Sequence, residues 1–271
     1  MNEPENPYNA PESPVQPPAV ENANGEASRK PGRPYGFWLT TAFALCTIVI
    51  WAVAQSLVLL AYSQYTGGEL TNEAIEALTN NGFFLGVVTS ATTPLAVLVT
   101  VFFAWTRVRP NFTLRDYLAL RPVGFKTFAL WCVIGVVVAF AADFLKQALG
   151  YSTVSEFMVE SYRTAGSLVL YTIAIVVMAP LWEELLFRGF IFTGYARSPL
   201  RVAGAIIVPA LAWSAIHLQY EIQDIATIFL LGVTIGVARW RTNSLYVPIA
   251  MHFVLNGVAL IGMALTEPPP V

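Results

Sequence analysis

Seven apolar runs set the layout of this chain, at about 36–63, 82–105, 126–149, 167–195, 202–219, 222–239 and 245–265. Each is long enough, or nearly long enough, to cross a hydrocarbon core ~30 Å thick as an α-helix. The fifth and sixth are short and could fold as a tight hairpin. The runs are too long for membrane strands and lack their two-residue alternation. The pattern therefore predicts an all-α fold, a polytopic membrane helical bundle of about seven transmembrane helices over residues 35–267. Residues 1–34 are rich in Pro, Asn and Glu and poor in large apolar side chains. They cannot bury enough surface to offset chain entropy, which predicts a disordered cytoplasmic tail. No internal repeat of the kind that builds inverted-repeat transporters is visible.

Composition sharpens this picture. Hydrophobic residues make up 56% of the chain and charged residues 12%, with a mean hydropathy of +0.59, well outside the range of soluble domains. A net charge of −2, with no basic stripe interleaved with aromatics, argues against a nucleic-acid partner. Cys46 and Cys132 each lie inside an apolar run and offer neither a disulfide framework nor a thiolate zinc site. The polar N-terminus does not resemble a cleavable signal peptide.

Charge alternates between connections. Arg29, Lys30 and Arg33 precede the first run, and Glu69, Glu73 and Glu76 follow it. Arg107, Arg109, Arg115, Arg121 and Lys126 fill the next connection, and Glu156 and Glu160 outnumber Arg163 in the one after. Arg197 and Arg201, Glu221 and Asp224, Arg239 and Arg241, and finally Glu267 continue the alternation. The positive-inside rule then predicts a cytoplasmic N-terminus, an outside C-terminus and seven spans. Residues 150–166 read equally as a short amphipathic helix on the outer surface or as a plain loop. Gly232 and Gly236 would let two helices approach closely. Asp143 and Lys146, at i,i+3 spacing, read as a local ion pair with a snorkelling lysine.

The chemistry is concentrated where charge is most costly. Glu183, Glu184 and Arg188 interrupt the fourth run, each at a cost of roughly 2.5–3.5 kcal/mol at a membrane helix centre. His217 and His252, the two histidines of the chain, also fall within predicted spans. Asn256 follows His252 by four residues and so shares its helix face. Glu183 lies 14 residues before Arg197, and His217 lies 16 after Arg201. His252 and Asn256 lie 11 and 15 after Arg241. At ~1.5 Å per residue, all four sit roughly 16–24 Å from one side. Arg188 is placed to pair with Glu184 at i,i+4, while Glu183 is rotated about 100° away and predicted to be the freer carboxylate. Pro180 should free the carbonyl of Val176, and Pro209 that of Ala205, bending both helices.

Glu183-Glu184-x-x-x-Arg188, Trp213-x-x-x-His217 and His252-x-x-x-Asn256 resemble, in order, the three motifs of the CAAX-protease and bacteriocin-processing (Abi) family of intramembrane endopeptidases, which includes the type II prenyl-protein proteases. The likeness covers about residues 165–260. Trp213 departs from the Phe usual at that position. The resemblance implies peptide-bond cleavage in or near the membrane, with Glu183 and His217 activating water and His252 and Asn256 binding the oxyanion or helping to hold a metal. Glu184 and Arg188 would shape the site. His217, His252 and Glu183 could also form a three-ligand zinc set, which would acidify a bound water. A metal-free route in which Glu183 acts as general base is open as well, and no HExxH is present. The expected partners are the lipid bilayer and a membrane-anchored peptide or protein substrate. The expected location is a bacterial inner (cell) membrane. A non-catalytic immunity or scaffold protein and a proton-coupled transporter are the competing readings.

Overall fold

A computed structural model describes residues 32–266. The tail expected over 1–34 lies outside the described residues except for its last three, as do Arg29, Lys30 and Glu267. Ten helices make up the described chain: α1 (Phe37–Thr66), α2 (Asn72–Asn80), α3 (Gly82–Trp105), α4 (Leu114–Leu118), α5 (Phe125–Ala148), α6 (Glu156–Arg163), α7 (Leu168–Ala196), α8 (Arg201–Ala215), α9 (Ile222–Thr242) and α10 (Tyr246–Thr266). No strand forms among the described residues. Six helices (α1, α3, α5, α7, α9 and α10) are long and apolar enough to span a bilayer. The protein is an integral membrane protein built as a helical bundle.

The fifth apolar run differs from expectation. Its helix, α8, ends at Ala215, and the remainder turns through His217 N–H to Ser214 O and Tyr220 N–H to His217 O. Fifteen residues give about 22 Å, short of the ~30 Å core. His217 therefore lies in a turn rather than in a helix.

Side-chain contacts fix the helix directions. Tyr62 packs on Phe84 and Phe43 on Phe103, so α1 and α3 run antiparallel. A Cβ on Gly232 would come within 3.0–3.1 Å of Trp213 and Ala210, and one on Gly236 within 3.0 Å of Ile206, so α9 descends against α8 with its small residues at the seam. Lys146 near the end of α5 meets Asp224 near the start of α9 at 2.9 Å. Direction alternates through α1, α3, α5, α7, α8, α9 and α10, as the loop charges require.

Lys146 also corrects an expectation. Its pair with Asp143 forms, at 2.9 Å, but Lys146 does not snorkel; it is 7% exposed and joins α5 to α9 through Asp224. A second carboxylate inside the bundle competes with water for the ammonium, and a buried cation with two carboxylates needs no route to the surface. Residues 156–163 of the doubtful segment are helical, with Ser161 and Tyr162 buried against the bundle. At the opposite end, α4 is tucked beneath α7: Tyr117 stacks on Phe190, and Thr193 donates to the Tyr117 carbonyl at 2.8 Å.

Candidate active site

Helix α7 carries the two glutamates on a six-residue α-helical stretch, Ala179–Glu184, between two π-helical turns, Ile173–Met178 and Leu185–Ile191. Pro180 explains the first of these. The last wide hydrogen bond runs from Ala179 N–H to Ala174 O, and the next in that register would need an N–H from residue 180. Proline has none. In the wide turn the carbonyl left without a donor is that of Ile175, one residue earlier than α-helical spacing implies. Asn256 of α10 fills the gap, its Nδ2 donating to Ile175 O at 2.9 Å. The second wide turn leaves Arg188 O to accept from Arg239 Nε at 2.9 Å. π-turns of this kind concentrate at functional sites.

The expected Glu184–Arg188 pair forms at 2.9 Å, with both side chains buried. Glu184 Oε1 also meets His252 Nδ1 at 2.8 Å, and its Oε2 is buried with no hydrogen-bond partner among the described residues. Arg188 donates a further bond from Nη2 to Gly232 O at 3.0 Å and lies 4.7 Å from the centre of the Trp213 ring. Glu183 faces another way, as its helical phase requires. Its Oε2 accepts from Trp213 Nε1 at 2.5 Å and stands 3.9 Å from His252 Nε2, beyond hydrogen-bond range. It is 9% exposed, whereas Glu184 is fully enclosed.

Trp213 links the remaining parts. Its ring meets those of His217 and His252 edge-on, at 5.3 and 5.1 Å between centroids. His217 Nδ1 lies 2.7 Å from the Trp213 carbonyl, so the proton sits on Nδ1 and Nε2 is the open nitrogen. Tyr220 follows in the same turn, 5.9 Å from His217 and packed edge-on against Phe157 of α6. Desolvation, reinforced by Tyr171 and Glu183, pushes the Tyr220 hydroxyl well above the usual phenol range, which keeps it neutral. No motif or spacing points to Tyr220, to the Gly232 carbonyl or to the Ile175 carbonyl. Only Pro180 hinted at the last.

The three helices thus bring Glu183, Glu184, Arg188, Trp213 and His252 into direct contact, with His217 held beside Trp213, and Asn256, one turn beyond His252 on α10, bonded to α7 at Ile175. The proposed zinc ligands fare differently. Among the described residues no three His, Cys, Asp or Glu side chains converge as a metal would require. His252 commits Nδ1 to Glu184 and His217 commits Nδ1 to a carbonyl, which leaves Nε2 of each as the nitrogen a metal could take, but the side chains do not converge. The donor set as arranged does not fit a three-ligand zinc.

Residues 165–258 match the Rce1-like family of type II CAAX prenyl endopeptidases. This Rce1-like segment contains every residue of the cluster, from Glu183 to Asn256. An uncharacterized 24.3 kDa protein of Escherichia coli is 28% identical over 135 residues, which are 48% of this chain and 62% of that protein. The chain therefore spans less than two thirds of that relative's length. No solved structure matches the chain. Outside the Rce1-like segment, α1 and α3 brace it: Trp51 stacks on Trp182 at 4.5 Å, next to the glutamate pair.

Proposed function

We propose that this protein is an intramembrane endopeptidase that hydrolyses a peptide bond of a membrane-anchored protein or peptide. The observation that carries the reading is the glutamate pair of the Rce1-like segment, buried in one cluster with Arg188, Trp213 and His252, in which Glu183 stands outside the ion pair and is held, among the described residues, by the Trp213 indole alone. Glu183 takes a proton from the attacking water as its oxygen bonds to the substrate carbonyl carbon. His217, through Nε2, orients that water. The tetrahedral oxyanion is met by His252 through Nε2 and by the second amide proton of Asn256, whose first is spent on Ile175 O. The proton on Glu183 then passes to the departing amine as the C–N bond breaks. Glu184 and Arg188 hold His252 in place.

The test is cleavage of a library of membrane-anchored peptides by the full chain in proteoliposomes. Cleavage is the expected result. Proton flux without cleavage of any member would overturn the reading in favour of transport.

Two further outcomes follow from the geometry. Because the donors do not form a zinc set, protein stripped of metal, as verified by elemental analysis, should retain its activity. Loss of activity on stripping, with recovery on added zinc, would refute the metal-independent route. We also propose a bacterial inner (cell) membrane as the location, with a cytoplasmic N-terminus on the strength of the alternating loop charges. A reporter active only in the cytoplasm, fused after Thr266, should then be silent; a bright reporter would overturn the arrangement of seven crossings from a cytoplasmic N-terminus.

A further inference from the structure

We propose that Trp213 is a positioning residue for the base: its indole N–H holds Oε2 of Glu183 and leaves Oε1 for the attacking water, while its carbonyl sets His217 with Nε2 open. The proposal rests on the endopeptidase reading. It comes from three contacts made by one residue. The indole Nε1–H reaches Glu183 Oε2 at 2.5 Å, the main-chain carbonyl takes the His217 Nδ1 proton at 2.7 Å, and the ring edge packs on His252. Arg188 and Gly232 close the other side of the indole, so it cannot turn away.

Glu183 has few other restraints. His252 Nε2, at 3.9 Å, is too far to fix the carboxylate, and no other side chain donates to it among the described residues. Without the indole N–H the carboxylate would be free to rotate, and its two oxygens would become equivalent toward water. Phenylalanine would preserve the edge-on packing and the main-chain bond to His217 but supply no donor. A tryptophan at this position therefore does chemistry that a purely aromatic residue cannot.

Trp213→Phe in the full chain, reconstituted in proteoliposomes, isolates the N–H. The expected result is a fall in kcat on the order of 10–10²-fold, the size of one hydrogen bond to a charged group. KM should change little, and activity should be lost at a higher pH on the acid side than in the wild type, because the charged carboxylate has lost a donor. Phenylalanine is smaller and could loosen the packing. A benzothienylalanine at 213, which keeps the bicyclic shape and replaces N–H by sulfur, should give the same fall and the same acid-side displacement. If either variant folds and its kcat and pH profile match the wild type, the proposal is overturned. It is also overturned if kcat falls while the acid side of the profile stays in place. A spectroscopic arm separates this proposal from the endopeptidase reading. The Trp213 N–H vibration, obtained as the difference between wild type and Trp213→Phe, should show a strong hydrogen bond that weakens, with the band moving to higher frequency, in Glu183→Gln, whose amide oxygen is a neutral acceptor. An unshifted band in Glu183→Gln would refute the contact whether or not any peptide is cleaved, whereas absence of cleavage with the band behaving as expected would refute only the endopeptidase reading.

Discussion

Glu183→Gln should abolish most peptide cleavage, by a factor on the order of 10²–10⁴, while leaving the fold intact. Glutamine keeps the size of the side chain and an oxygen able to accept from Trp213, so the contact that fixes the headgroup survives. What it removes is the capacity to accept a proton from water. Glu183 makes no bond to Arg188 or within hydrogen-bond range of His252, so its neutralisation leaves no buried cation stranded by a lost contact. Melting temperature and detergent-solubilised yield should therefore stay close to wild type. The measurement is activity per folded molecule on the best library peptide. Retained activity in Glu183→Gln, together with a well-folded but inactive Glu184→Gln, would reverse the assignment of base and structural partner.

Glu184→Gln should act chiefly on stability. Glu184 Oε1 is shared by Arg188 Nη1 and His252 Nδ1, and all three side chains are buried. Removing one partner from such a cluster leaves an uncompensated buried charge and costs roughly 3–5 kcal/mol. That is a large share of the 5–15 kcal/mol typical of a folded domain. A marked fall in yield and melting temperature is expected. Arg188→Gln added to Glu184→Gln removes the stranded guanidinium and should recover part of the loss, though not all, because His252 has also lost its partner and Gly232 O its donor. A double mutant less stable than Glu184→Gln would show that the ion pair is not what Glu184 provides.

The parts of this site visible in the sequence were those set by short-range helix geometry. The i,i+4 spacing of Glu184 and Arg188 on one helix specified their pairing, and the 100° offset of Glu183 specified its separate surroundings. Depth counted from the charged connections brought Glu183, His252 and Asn256 to one level because each lies on an unbroken helix, α7 or α10. The same count placed His217 inside a helix, and failed there because α8 unwinds two residues earlier. Hydropathy cannot see such an ending: Ile216 and Leu218 are apolar in either conformation. The π-helical turns were equally hidden. Pro180 announces a missing donor, but only the position of Asn256 decides which carbonyl is rescued. Lys146 was read with the partner it has in sequence, three residues away. Its second partner, Asp224, lies on another helix, and no local pattern encodes that encounter. The bond from Trp213 to Glu183 is of the same kind, a tertiary contact between residues 30 positions apart.

The position of Arg188 also bears on how the protein is made. Residues emerge from the ribosome in order, so α7 reaches the membrane before α8 and α10 exist. Glu184 travels with its partner already on the same helix, one turn behind it. Glu183 does not: its donor, Trp213, belongs to a later helix, and His252 to the last one. During that interval α7 must enter the bilayer carrying one uncompensated acid against a mean hydropathy of 1.7. Chains that stop before α10 would keep a surplus of negative charge in the apolar phase, and membrane quality control would have a distinct feature by which to find unfinished copies.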